Sequence, residues 1–315
     1  MNNKGMAAAK KTTTHSLSDL NMLFSSAWEL FKKVVLSLFI FNLLGVVGYI
    51  VLVIVFFGIG FVSAGGAIMS GKIFATGNVA LWIVLAVLAI LFIVGLIIVG
   101  STVEIGSVFI VSEGKKKGTY KQLIIAAFPL ILPLILTGIL KSIFSFGSFF
   151  VLIIPGIVLG FMLTFVNFEV ILQKRKYLAA IKRSVAIFER NFWPMLGRIL
   201  LITVIGMVLS YIPSLFSQHH NDGFTSLLSS IIGFVFGWYE LCYIYTLYKE
   251  AEADTPANYK PRMLWIYIVT VVGWVIAVGV LIFFVSFVKS PQFQNYMKHA
   301  PKNTPHSSSG YTLKK

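Results

Sequence analysis

The chain has 315 residues, 57% of them hydrophobic and only 12% charged, with a mean hydropathy of +0.88. Soluble domains carry about 25% charged residues, so this composition excludes a water-dissolved globular enzyme and makes the bilayer the solvent for most of the chain. The net charge of +15 would suit nucleic acid, yet it is gathered in short segments between apolar runs. That is how basic loops mark the cytoplasmic face of a membrane protein and meet anionic headgroups.

The opening 1–17 is polar and reads as a disordered cytoplasmic segment without a signal peptide, since the first apolar run is too long for an h-region. Next, Leu20, Phe24, Trp28 and Phe31 recur at helical spacing, with Ser18 placed to cap the start. A spanning helix needs about 20 apolar residues, and seven stretches meet or approach this: 34–62, 81–111, 123–140, 149–172, 195–216, 227–247 and 263–288. The second is long enough to project past the hydrocarbon. The third is short and holds Pro129 and Pro133; it reads as a kinked span or a re-entrant helix, and charge alternation favours the span. Before the fifth stretch, Leu178, Ile181, Val185, Phe188 and Phe192 share one helical face while Lys182, Arg183 and Arg190 occupy others. Such a helix is expected to lie in the interface, its aromatics below the headgroups and its cations above.

The connections alternate in charge. Lys4, Lys10, Lys11, Lys32 and Lys33 precede the first span, and Lys115, Lys116, Lys117 and Lys121 join the second to the third. The fourth-to-fifth connection carries Lys174, Arg175, Lys176, Lys182, Arg183 and Arg190, and the sixth-to-seventh Lys249, Lys260 and Arg262. The other side holds only Lys72, Lys141 and a 217–226 loop free of lysine and arginine. The N-terminus is therefore expected inside. Seven spans put the basic tail outside; if one run does not span, the tail is cytoplasmic. The domain reading is a six-helix membrane core over 18–250, a cytoplasmic linker and seventh helix over 251–288, and a disordered basic tail over 289–315.

One unit recurs: a basic amphipathic stretch running into an apolar hairpin. Two copies lie 61 residues apart, aligning Lys121 with Lys182 and Pro133 with Pro194. A fainter one sets Ala27, Leu30, Phe31 and Lys33 opposite Ser184, Ile187, Phe188 and Arg190. The expected fold is all-α: three parallel helix-pair repeats with basic cytoplasmic elbow helices, plus one appended C-terminal transmembrane helix.

Ionisable groups inside a membrane are functional candidates because stranding charge in hydrocarbon is costly. Glu104, Glu169 and Glu240 lie toward the basic ends of the even-numbered helices, with Asn167 on the fourth. The bland alternative is interfacial carboxylates paired with neighbouring cations; the sharper one is a shared polar cavity opening to the cytoplasm. Lys115, Lys116, Lys117, Lys174, Arg175, Lys176, Lys182, Arg183 and Arg190 are candidate contacts for anionic lipid. Gly156 with Gly160, and Gly233 with Gly237, are small-residue pairs suited to close helix packing. Trp238, Tyr239, Tyr243, Tyr245 and Tyr248 fit an interfacial aromatic belt. The single cysteine, Cys242, reads as a small buried residue, and His219 with His220 as part of a polar loop. No phosphate-cradling loop, zinc-protease signature or nucleophile constellation is present, so no catalytic residue, metal or cofactor is expected.

The stretch Ala180, Ile181, Lys182, Arg183 and Ser184, continuing from Phe188 through Trp193, resembles a family of uncharacterised bacterial and archaeal membrane proteins. It is similar to the membrane domain attached to some glycerophosphoryl diester phosphodiesterases, and Ser26 to Lys33 looks like that family's first segment. The likeness covers about 18–250. It implies a six-helix core in a prokaryotic plasma membrane with no assigned catalytic residues; the phosphodiesterase barrel of some relatives has no counterpart here. The expected function is a non-enzymatic scaffold or accessory factor of the envelope, in contact with membrane lipids and with another membrane protein or a second copy. A transporter or lipid-handling channel is the alternative.

Overall fold

The computed structural model describes residues 17–69, 79–114, 120–215 and 222–299. Every element among them is helical: α1 (Leu20–Met69), α2 (Val79–Glu113), α3 (Tyr120–Val151), α4 (Ile153–Met162), α5 (Val166–Ile171), α6 (Leu178–Arg190), α7 (Phe192–Leu215), α8 (Asp222–Asp254), α9 (Met263–Val288) and α10 (Pro291–His299). Seven stretches of these helices are long and apolar enough to cross a membrane. The protein is a multi-pass helical membrane protein.

Several boundaries differ from the sequence reading. The first amphipathic stretch is no separate helix: it forms the opening turns of the 50-residue α1, because no glycine or proline interrupts the helical pattern between Leu20 and Val34. Ser18 does not cap it; the first turn closes through the Leu23 N–H on the Asp19 carbonyl. The third stretch continues to Val151 despite Pro129 and Pro133, so Lys141 lies inside α3 rather than in an outer loop. The fourth is broken into α4 and α5. Part of the tail read as disordered is helical, since Ser290 caps α10 by accepting the Phe293 N–H at 3.3 Å.

The chain divides into two compact units. The first holds the described residues up to Ser142 and Gly160–Met263. In it the buried side chains gather at the basic ends of the helices. On α1 they run from Leu23 to Phe41, on α2 from Ile105 to Val111, and on α8 from Cys242 to Ala251. Phe31, Val34, Leu38 and Phe41 meet Ile110, Val111, Leu123 and Cys242 in one cluster. Beyond this base the same helices are exposed and apolar: none of the side chains described between Val46 and Val62, or between Trp82 and Val103, is buried. Burial of apolar surface in the base and lipid contact outside it are the division a bilayer imposes.

Close packing of α1 on α2 uses glycines. A Cβ on Gly106 would collide with Phe41, one on Gly95 with Leu52, and one on Gly100 would meet the Tyr49 hydroxyl at 2.9 Å. Gly160, Gly233 and Gly237, expected at helix contacts, have open space around them. The pattern signals permission for close approach, not the approach itself.

The second unit comprises Ile143–Leu159 and the described residues from Leu264 onward. Here the end of α3 crosses α9 backbone on backbone. A Cβ on Gly147 would lie 2.7 Å from the Thr270 carbonyl oxygen, and one on Gly273 would overlap the Gly147 carbonyl. Trp274 donates its indole N–H to the Ile143 carbonyl at 3.1 Å. The turn from α3 into α4 is so tight that a Cβ on Gly156 would reach within 3.0 Å of the Phe149 Cα.

Candidate functional site

The break between α4 and α5 organises the polar groups of the base. The short 163–165 turn separates α4 from α5, so backbone groups near Met162 lose intrahelical partners. Non-helical backbone at such depth is tolerated only where protein satisfies it. Ser184 of α6 does so, donating its buried hydroxyl to the Met162 carbonyl at 2.7 Å. The same face of α6 carries Ala180, Ile181, Val185 and Phe188, all buried in protein. This corrects the expected interfacial posture of that helix: its apolar face seals the broken fourth stretch rather than dipping into lipid.

Polar contacts radiate from the six-residue α5 and the loop that follows it. Asn167 donates its side-chain amide to the Glu104 carboxylate on α2. Glu169, fully buried, accepts Arg175 Nη1 at 2.6 Å on one oxygen and the Tyr248 hydroxyl at 3.1 Å on the other. The Arg175 backbone N–H returns to the Glu169 carbonyl at 3.0 Å. That loop places Lys174 and Tyr177 at φ 55° and 53°, a region non-glycine residues rarely adopt. The Tyr177 N–H donates to Thr137 on α3 at 3.0 Å, which helps to hold it there. Gln173 donates to Glu252 of α8 at 2.7 Å.

The end of α8 is tied as firmly. Arg183 donates to the Thr255 and Pro256 carbonyls at 2.8 and 2.9 Å, meeting carbonyls that the helix end leaves free. Asp254 accepts Arg190 at 3.1 Å and Asn191 at 2.8 Å. Glu189 accepts the Arg262 N–H at 2.9 Å. Arg198, buried nearly two turns into α7, donates to the Ser18 carbonyl and lies 3.8 Å from Glu250, which accepts the Ser18 hydroxyl at 2.7 Å.

The four candidate polar residues are thus only partly united. Glu104 and Asn167 meet; Glu169 points to α8 and its own loop; Glu240 is half-buried and makes no hydrogen bond or ion pair with a described residue. Lys141, assigned to the opposite side by charge counting, stands within electrostatic reach of Glu104. The two pockets described are apolar grooves. One of about 390 Å³ lies between α1 and α2 around Phe57 and Phe92; one of about 220 Å³ lies between α1 and α8 around Phe39 and Trp238. Neither is lined by Glu104, Asn167, Glu169 or Glu240.

Of the cations expected on lipid, Arg175, Arg183 and Arg190 are spent on internal partners, while Lys174, Lys176 and Lys182 are exposed. Lys115, Lys116 and Lys117, like His219 and His220, lie outside the described residues. Tyr243 and Tyr248 are buried in the base rather than in an aromatic belt, with hydroxyls on the Arg198 carbonyl and Glu169. Sequence reasoning passed over Arg198 and Glu250. Arg198 stands inside an apolar stretch, and a cation there is a signal in itself. Among the described residues no group of histidine, cysteine or carboxylate side chains could hold a metal ion.

No protein-family model matches this chain, nor does any curated protein or solved structure. Function therefore rests on the geometry alone.

Proposed function

We propose that this protein is a non-enzymatic membrane scaffold or accessory factor of the cell envelope, its N-terminus and basic base on the cytoplasmic side. The observation that supports this reading is the internal pairing of the base. Arg175, Arg183, Arg190 and Arg198 all serve carboxylates or carbonyls of neighbouring helices, which suits a rigid platform better than a site that must rearrange. The apolar helices rising from it offer lipid and partner helices an extended surface. On this view the recurring basic-stretch-and-hairpin unit is a parallel repeat, α6 being its one separate elbow helix.

The experiment is affinity purification of the tagged, full-length protein from native membranes, followed by mass spectrometry of proteins and lipids. A stoichiometric membrane-protein partner is the expected result. Recovery of the protein alone with a specific solute or lipid would sink the scaffold.

A second reading has its own observation. Asn167 of the broken fourth stretch donates to Glu104, and discontinuous helices with polar groups are how transporters build binding sites. This favours a lipid-handling or transport role, tested by whether Glu104→Gln abolishes the phenotype of the gene while leaving the protein folded.

A further inference from the structure

The loop between α5 and α6 is held more tightly than a simple connection requires. Its Arg175 turns inward, with Nη1 at 2.6 Å from the buried Glu169 carboxylate and its N–H at 3.0 Å from the Glu169 carbonyl. On either side the loop is pinned to another helix. Gln173 donates to Glu252 of α8 at 2.7 Å, and the Tyr177 N–H donates to Thr137 of α3 at 3.0 Å. Thr137 stands 61 residues before Arg198, the spacing of the recurring unit. Arg198 likewise holds backbone, at Ser18, just ahead of an amphipathic stretch.

The result is an alternation of side chains. With Arg175 inward, Lys174 and Lys176 on either side of it are exposed, and so is Tyr177. Neither lysine closes an ion pair with a described residue. Lys174 and Tyr177 sit at φ 55° and 53°. Such a conformation persists only where the surroundings impose it, and ligand clamps are among the places where it gathers. Backbone fixed beforehand also lowers the ordering cost of meeting an anion.

Which anion lies within reach follows from the chain itself. The apolar stretch Ile153–Ile171, long enough to cross a membrane, ends two residues before Gln173. A loop that leaves a spanning stretch so soon stands among headgroups, on whichever side it emerges. We propose that Lys174, Lys176 and Tyr177 form a preset clamp for an anionic phospholipid headgroup, the lysines on its phosphate and the tyrosine ring at the interface. Glu169 and Thr137 are its positioning residues. The clamp is independent of the scaffold reading. Lys182, exposed on α6 without an ion pair, has no comparable lock and serves as the internal control.

In the test, purified full-length protein in detergent is titrated with phosphatidylglycerol and phosphatidylcholine of matched chains, and bound lipid is counted by native mass spectrometry. Phosphatidylglycerol is expected to be retained about tenfold over phosphatidylcholine, the order of what two lysines near an anionic headgroup contribute. Lys174→Gln combined with Lys176→Gln removes that preference, while Lys182→Gln keeps it. Thr137→Val changes no charge but releases the Tyr177 N–H, and is expected to weaken the preference. Glu169→Gln gives opposite signs: added positive charge alone would strengthen phosphatidylglycerol retention, whereas a released Arg175 weakens it. Equal retention of the two lipids by the unaltered protein overturns the proposal, and that arm needs no variant to fold. Equal losses from Lys182→Gln and from the loop pair also overturn it, since the charge would then act diffusely. An unchanged preference in folded Thr137→Val rejects the preset clamp. Displacement of the lipid by soluble glycerol phosphate assigns the loop to a free phosphate and overturns the lipid. None of these outcomes touches the scaffold, whose own test is a protein partner.

Discussion

Arg198 shows how much a single side chain can carry in this base. It is nearly buried, lies 3.8 Å from Glu250 and donates to the carbonyl of Ser18, so it joins α7 to α8 and to the segment that opens α1. Arg198→Met leaves Glu250 without its cation and the Ser18 carbonyl without its donor. The expected cost is about 2 kcal/mol, the scale of a hydrogen bond to a charged group, read from the thermal midpoint in detergent; adding Glu250→Gln should recover part of the loss. Tyr177 makes a test of opposite sign. Its φ of 53° costs a side-chain-bearing residue about 1 kcal/mol or more, so Tyr177→Gly, which keeps the N–H to Thr137, is expected to raise the midpoint. Neither residue was legible in sequence as it stands in the fold. Charge counting reads cations in loops, where they report topology, and so slides past one inside an apolar stretch. A positive φ leaves no mark when the residue is tyrosine rather than glycine or asparagine.

At the scale of elements, hydropathy located the seven apolar stretches because about 20 consecutive lipid-compatible residues leave an unmistakable trace. It could not show where helices break or end. α3 runs through two prolines to Val151, whereas the fourth stretch parts into α4 and α5 without a proline at the gap. What decides is whether a neighbour satisfies the freed backbone. Ser184 does this for the Met162 carbonyl, so Ser184→Ala is expected to cost about 1–2 kcal/mol, the price of a buried unpaired carbonyl, while Ser230→Ala on the exposed outer part of α8 changes nothing measurable. In the second unit the contact at Gly147 and Gly273 leaves no room for any side chain. Gly273→Ala is expected to lower the midpoint by several degrees, because carbonyl oxygens cannot step aside as a flexible side chain would. Gly279→Ala on the same helix meets open space and serves as the control. Small-residue spacing in the sequence pointed instead to Gly156, Gly160, Gly233 and Gly237, since a motif cannot say which helix will arrive.

For the whole molecule, composition alone legibly placed the chain in the bilayer, and the partition of buried from exposed side chains within the first unit agrees with it. The candidate site was half legible. Glu104 and Asn167 could be named because polar residues stand out among apolar ones, but their union with each other and not with Glu240 depends on the broken helix. The contacts of the first unit also differ in how far apart along the chain their partners lie. Gly106 against Phe41, and Gly100 against Tyr49, join neighbouring helices, so the α1–α2 hairpin can close as soon as both have left the ribosome. Ser18, by contrast, bonds to residues 180 and 232 positions downstream. The base is therefore the last part to close during synthesis: the opening segment must wait, unpartnered, until α7 and then α8 have been made. A chain interrupted before Glu250 would lack both the acceptor of the Ser18 hydroxyl and the carboxylate beside Arg198, so its opening segment would be left without that anchor.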